Sequence, residues 1–549
     1  MRKLAYIIVL MLALPAVASA QVAKQVEVSK DYTPTLNSAQ KLSIAPDMTD
    51  TVKMRPDIDY TITPRSYETS LLTQNFKPAT ITYWDFKRSR PFYAKAAFGM
   101  PLTSEADAYV STFNKDKGYA MAYINHWGDY RKRPMLDGEL REDGRAEMSN
   151  RLGGRAGLFA GPRSLDFDIY VDEQMRHRYP TTGELIHFGK ADAKLRFGDD
   201  FTDLSRWNFN IEVEGGMFTD LYHKENSKGF SQSDLSAQIA VGKMVGQHVL
   251  RIHIGYEGVF GAKELNDYKN NGLMAGARYG VSGKRFEFLL GADYHYDNVI
   301  NNTESPHYVF PYLRMTWKNS SKGFVPFVEV DGELKRNNFG ALMYENPFFT
   351  PVATTGEELS KLPNEAVYNG RVGFGGSLGK NIFSYSLSAE LSLSNDHIYW
   401  YSSGADYYFA AAYQHSLRIE GQMKLRPAGW FEAEANVGIY AWENYDSFYS
   451  NRPNFDFGLD LRYTGRKVTA GVNLGYVSSI KWLTMGADSQ MTYTQTDGTF
   501  TLGLEAEWRI NERWAAFVEG RNLTGSRIYE WLNYYTDSAQ GLVGFKFTF

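Results

Sequence analysis

The chain has 549 residues, 15% of them aromatic, with 49 Gly, 19 Pro, no Cys and a formal net charge of −4. Without a thiol it can form no disulfide, thiolate metal site, Cys nucleophile or Cys-linked lipid anchor, and the mild charge, free of basic blocks, excludes nucleic acid as a partner. Mean hydropathy is −0.41. No apolar run of about 18 residues follows the first 20, which excludes a bundle of membrane-spanning helices.

Arg2 and Lys3, the apolar stretch Leu4 to Val17 and Ala18-Ser19-Ala20 before Gln21 read as a cleaved signal peptide over residues 1–20. Residues 21–90 follow as a separate N-terminal segment, periplasmic or lumen-filling. Pro34, Pro46, Pro56, Pro64 and Pro78 recur there through polar sequence, so extended or irregular backbone is expected rather than helix.

Residues 91–549 repeat one unit: alternation of apolar and polar side chains over about 9–12 residues, then a turn, as in a transmembrane barrel strand. Phe500 to Arg509 shows it best, with Phe500, Leu502, Leu504, Ala506 and Trp508 on one face and Thr501, Gly503, Glu505, Glu507 and Arg509 on the other. Strands of a soluble sandwich usually run about five or six residues. Short turns near Asn114–Gly118, Gly161-Pro162, Val245-Gly246, Gly283-Lys284, Asn319–Lys322, Gly379–Asn381, Pro427–Gly429, Thr464–Arg466 and Asn511-Glu512 alternate with longer, aromatic-rich connections. Counting between them predicts an all-β, antiparallel transmembrane β-barrel of about 22 strands (20–24), with short periplasmic turns and longer extracellular loops. Thr484–Thr496 is placed in a loop, because a strand there would break the in-and-out parity.

The chain closes on Val543, Phe545, Phe547 and Phe549 along one face. This resembles the signal by which outer-membrane barrels are recognised by the barrel-assembly machinery, and Phe545, Phe547 and Phe549 are its candidate residues. Upstream, Asn511-Glu512-Arg513-Trp514, Glu519-Gly520-Arg521-Asn522-Leu523, Tyr529 and Gln540-Gly541 resemble the closing two strands of TonB-dependent-receptor barrels. That resemblance implies the outer membrane of a Gram-negative bacterium, with outer-membrane lipid as surroundings. It departs at the N-terminus, where only residues 21–90 stand in place of a full plug domain, which puts energised import in doubt.

Gly375-Gly376-Ser377-Leu378-Gly379 matches G-x-S-x-G, but it falls at the end of an alternating strand with no following helix, so it reads as a chance match. Asp199, Asp200 and Asp203 fall short of a calcium loop's ligand number and read as a solvated acidic turn. No catalytic, cofactor or metal constellation is legible. Alternation places Asp166, Asp168, Glu212, Glu214, Glu390, Glu505 and Glu507 in the lumen with Lys194, Arg371, Arg418 and Arg462. The loops concentrate rings: Tyr399, Trp400, Tyr401, Tyr407, Tyr408, Phe348, Phe349, Trp531, Tyr534 and Tyr535, with Tyr445 to Tyr449. They are candidate ligand-binding residues, since aromatic faces beside amides stack on sugars or grip proteins, with loop-on-loop packing as the structural alternative. Two functions follow: a transporter or receptor-like channel for a polar solute, an oligosaccharide being the candidate, or an accessory subunit of an envelope assembly with a periplasmic or outer-membrane protein partner.

Overall fold

The computed structural model describes residues 91–549 apart from 113–116, 137–139, 142–145, 182, 202, 224–227, 300–305, 319–322, 350–361, 380–381, 445–450, 487 and 537. The signal peptide, the segment 21–90 and the aromatic run 445–449 lie outside the described residues.

Period-2 alternation builds a closed antiparallel barrel of 22 strands. The first strand, Phe92–Met100, pairs with the second, Thr103–Ser111, and with the last, Gln540–Thr548. Phe92 and Phe549 exchange backbone hydrogen bonds of 3.2 and 3.0 Å at the seam of closure. Both ends of the barrel chain therefore stand at the rim that carries the short turns, which is the periplasmic one. Gly161, Gly246 and Gly379 take φ near +63° in those turns, the left-handed conformation that glycine adopts without steric cost. Among the described residues, no helix is long and apolar enough to cross a membrane.

Thr484–Thr496 stays outside the wall, as the parity argument requires. Lys481–Met485 and Met491–Gln495 form a hairpin over the extracellular end, touching the tall strand Phe383–Ser403 through the parallel pairs Tyr401↔Leu483 and Ser402↔Thr484.

The faces sort as alternation demands. Phe98, Leu152, Ile254, Leu290 and Phe545 are exposed on the outside, where lipid replaces water, and Trp317, Trp430, Trp508 and Trp514 ring the periplasmic side. Inside, charges pair from strand to strand, Arg462 reaching one strand further, across Gly471. Lys194 reaches Glu212 at 2.6 Å and Glu214 at 3.5 Å, Arg155 holds Asp168, Arg371 bridges Glu390 and Glu329, and Arg462 meets Glu505 at 3.0 Å. The acidic turn is solvated at Asp200 and Asp203 but not at Asp199. The Asp199 carboxylate is fully buried, accepting from Arg206 at 3.0 Å and from the Phe209 amide at 3.1 Å, because the turn folds back under the strand that follows it.

Candidate functional site

Above the lipid-facing band the loops fold inward and meet over the lumen. The longest described contribution is the connection between strands Val325–Lys335 and Glu365–Leu378. It opens with Arg336-Asn337-Asn338 and winds into the short helix Phe339–Glu345. Asn338 caps the helix, its side chain accepting from the Ala341 amide at 2.7 Å, as Asn commonly does at a helix start. The cap is docked on the wall by Gln232, which donates to Asn338 Oδ1 at 2.7 Å and accepts from the Gly340 amide at 3.1 Å. A β-carbon on Gly340 would stand 3.1 Å from Phe218, a tight fit that a residue without one avoids.

The base of the loop is a buried polar knot. Asn270 donates to Asn364 Oδ1 at 2.6 Å, Asn364 donates to Asp297 at 2.8 Å, and Asn337 donates to the Pro363 carbonyl at 2.7 Å. Tyr268 donates to the Asn337 carbonyl at 2.6 Å, and burial pushes its hydroxyl above the ordinary phenol range, so it stays a neutral donor. Arg336 ties the knot to three strands through Glu257 at 3.0 Å, Asn270 at 2.9 Å and the Tyr296 carbonyl at 3.1 Å. Such satisfied networks hold one arrangement of the backbone.

Past the helix, Phe348 and Phe349 enter a cluster of rings drawn from loops all round the rim. Phe348 stacks on Tyr534 with centroids 3.3 Å apart, Phe349 meets Trp400 edge-on at 5.3 Å, and Tyr407 meets Trp531 at 4.9 Å. Tyr179, Tyr268, Phe339 and Trp482 complete the core. The central rings use their polar atoms: Tyr407 accepts from the Leu532 amide at 2.8 Å, Tyr534 donates to the Ala405 carbonyl at 2.9 Å, and Trp400 donates to Glu345 at 3.0 Å. Arg178 fastens the tip, giving Nη1 to the Phe348 carbonyl and to Asp406, both at 2.8 Å, and Nη2 to the Phe349 carbonyl at 3.2 Å.

Of the ten ring residues singled out from sequence, Phe348, Phe349, Trp400, Tyr407, Trp531 and Tyr534 come together in this cluster with relative exposures of 0–3%. Tyr399, Tyr401, Tyr408 and Tyr535 sit at its margin, half-buried; Tyr401 stacks on Tyr408 at 5.5 Å and Tyr535 meets Tyr529 at a tilt, with centroids 5.4 Å apart. In this state the buried rings hold one another. Sequence reasoning missed Arg178, Arg336, Gln232 and the Asn270, Asn337, Asn364 set. The pair Asn337-Asn338 before an apolar run was the signal for the cap, but nothing in the sequence ties Arg178 to carbonyls 170 residues away. Phe545 and Phe549 are exposed on the lipid side, while Phe547 packs against Trp514 with centroids 4.7 Å apart.

A large closed barrel, apolar outside, charged inside and capped by its own extracellular loops, defines an outer-membrane β-barrel. No family model and no curated protein matches the chain by sequence. Solved structures match by fold. The FrpB iron transporter from Neisseria meningitidis (F3-3 variant) superposes with a TM-score of 0.65 at 11% identity, covering 83% of this chain and 81% of that one. The siderophore receptor PirA from Acinetobacter baumannii gives 0.63 at 12% identity over 84% and 81%, and the ferric-catecholate import receptor Fiu from E. coli K12 gives 0.61 at 9% over 84% and 82%. Identities this low establish the barrel architecture that the closing strands led one to expect.

Proposed function

We propose that this protein is an outer-membrane transport receptor whose extracellular cap governs access of a solute to the charged lumen. One observation carries the reading: the cap is made of long loops folded inward and fastened by a few polar ties, on a barrel wall that is itself complete. A purely structural barrel has no use for a separately latched mouth. The neighbours in fold are named for iron and siderophores, which makes an iron chelate the first solute class to try; the oligosaccharide suggested by the loop rings gains nothing from them. Aromatic faces and buried amides released from the cap would suit either ligand.

The test is binding of ferric chelates and of oligosaccharides to the purified protein in detergent, read by calorimetry and by tryptophan fluorescence, since Trp400, Trp482 and Trp531 all lie in the cap. A saturable fluorescence change with one class and not the other supports the reading and names the class. The accessory-subunit reading is favoured by the self-sufficiency of the cap, whose central rings leave no exposed face. Silence toward both classes, with a stoichiometric protein partner retained through mild-detergent purification, would put it ahead.

A further inference from the structure

The barrel wall is not uniform. Strand His307–Trp317 is registered with its predecessor from Phe286↔Trp317 to Tyr296↔His307, and strand Val325–Lys335 with its successor from Val325↔Gly375 to Lys335↔Glu365. Between these two strands the register runs only from Thr316↔Phe327 to Leu313↔Val330. Pro311, two residues above that limit, has no amide hydrogen to donate to a ladder.

Above Leu313 the faces cross. Tyr308 and Phe310 belong to the lumen face of their strand, since Phe310 stands opposite Asp293, whose carboxylate pairs with Arg278 inside. Leu334, Ala366 and Tyr368 belong to the outer face of theirs, the face of Val328 and Val372, both exposed to lipid. Yet Phe310, Leu334 and Ala366 form one buried cluster with Tyr308 and Tyr368 against it. Phe310 lies 4.9 Å from the Tyr368 ring and 5.2 Å from His295 of the preceding strand. A lumen face meets an outer face only where the second strand has passed behind the first. Gly332 makes room for the crossing: a β-carbon there would stand 2.6 Å from Phe310 Cδ1. The wall overlaps itself as a lapped joint, and the extracellular halves of Val325–Lys335 and Glu365–Leu378 are tucked inside.

That tucked hairpin is the one from whose ends the loop Arg336 to Asn364 springs. On its far side it keeps full register with Phe383–Ser403 up to Ala366↔Asn395, after which the next seam, between Phe383–Ser403 and Asp406–Ala428, shifts register between Ser394 and His397 at Asp396, φ +56°. We propose that the upper hairpin and the described parts of its loop, residues 336–349 and 362–364, form a single door. Its hinge is the ladder to Phe383–Ser403, its closing edge is the lapped joint at Phe310, and its catch is Arg178 on the Phe348 and Phe349 carbonyls. Opening the joint slides side chains apart without unzipping that ladder, so this loop leaves the other loops of the cap as one body once Arg178 and the ties of Arg336, Asn364 and Gln232 to the facing strands let go. The proposal specifies the moving part of the transport reading, and its test uses no solute, so either can fail alone.

The chain has no Cys, so a disulfide across the joint is unambiguous. The Phe310 β-carbon lies 3.2 Å from the β-carbon that would be built on Gly332, close to the roughly 3.5–4.5 Å of a disulfide. Phe310→Cys/Gly332→Cys is prepared in vesicles and its amide hydrogen exchange compared in reduced and oxidised forms of the same molecule. Oxidation is expected to slow exchange of residues 339–345 at least tenfold and to leave 325–330 and 313–317 unchanged. Equal exchange of the helix in both forms, with the bridge made, would overturn the door, and a folded protein in which no bridge forms would overturn the lapped joint. Should that variant not fold, wild-type exchange decides: 331–345 must exchange together and at least tenfold faster than 325–330, and uniform protection across Val330 would overturn the proposal.

Discussion

Arg178 is the side chain whose removal tells most about the cap. Arg178→Met keeps the apolar stem and deletes the guanidinium, with its bonds to the Phe348 carbonyl at 2.8 Å, the Phe349 carbonyl at 3.2 Å and Asp406 at 2.8 Å. A hydrogen bond from a charged donor contributes about 1.5–3 kcal/mol net. The Phe348 carbonyl keeps the Tyr407 amide at 3.3 Å, so its loss falls at the low end of that range, whereas the Phe349 carbonyl falls at the high end. Asp406 is about half exposed, and an ion pair there adds roughly 0.5 kcal/mol after solvent screening. The sum is roughly 5 kcal/mol on local opening of the cap, or about 10³·⁵ in the opening constant at 1.4 kcal/mol per tenfold. The assay is amide exchange of peptides spanning 339–349 in vesicles, with the heat-dependent gel shift as the check that the barrel is intact. Acceleration of less than about threefold, with the barrel folded, would refute the claim that Arg178 holds the tip.

Three further outcomes are expected. Phe549→Ala, which removes a ring exposed on the lipid side and lying under the Arg513 guanidinium at 4.9 Å, should lower the amount of folded protein in the outer membrane with export intact; unchanged surface abundance would remove this end as an assembly signal. Deleting residues 21–90 should leave conductance in planar bilayers low because the cap still closes the mouth, whereas the same deletion combined with Arg178→Met should conduct; large channels from the deletion alone would make that segment, not the cap, the closure. Glu530 lies in the extracellular hairpin Ile528–Trp531 and Tyr534–Thr536, where burial raises its pKa above the usual 4.5, an effect only partly offset by Arg176. The folded state therefore holds the proton more tightly than the unfolded one, so the stabilisation is fully present below about pH 4.5 and is lost as pH rises through the raised value. Exchange of residues 528–536 should accelerate over that rise in the wild type and flatten in Glu530→Gln, and parallel profiles would remove Glu530 as the cause.

Period-2 alternation carried the barrel, because each lipid-facing residue must be apolar while its neighbours face a polar lumen, and this constraint is local enough to read along one strand at a time. Turns such as Gly161-Pro162 and Val245-Gly246 were equally legible, since a two-residue reversal needs particular residues at fixed places. Only the tertiary structure decided what the loops do. Phe348, Trp400, Tyr407 and Trp531 looked alike as exposed ligand platforms or as packing, and nothing in their spacing reveals that strands far apart in sequence bring them within ring contact. The lapped joint was hidden for the same reason. Phe310, Leu334 and Tyr368 each obey the alternation of their own strands, and it is the radial position of one strand behind another, set by the closure of the whole sheet, that turns opposite faces toward each other.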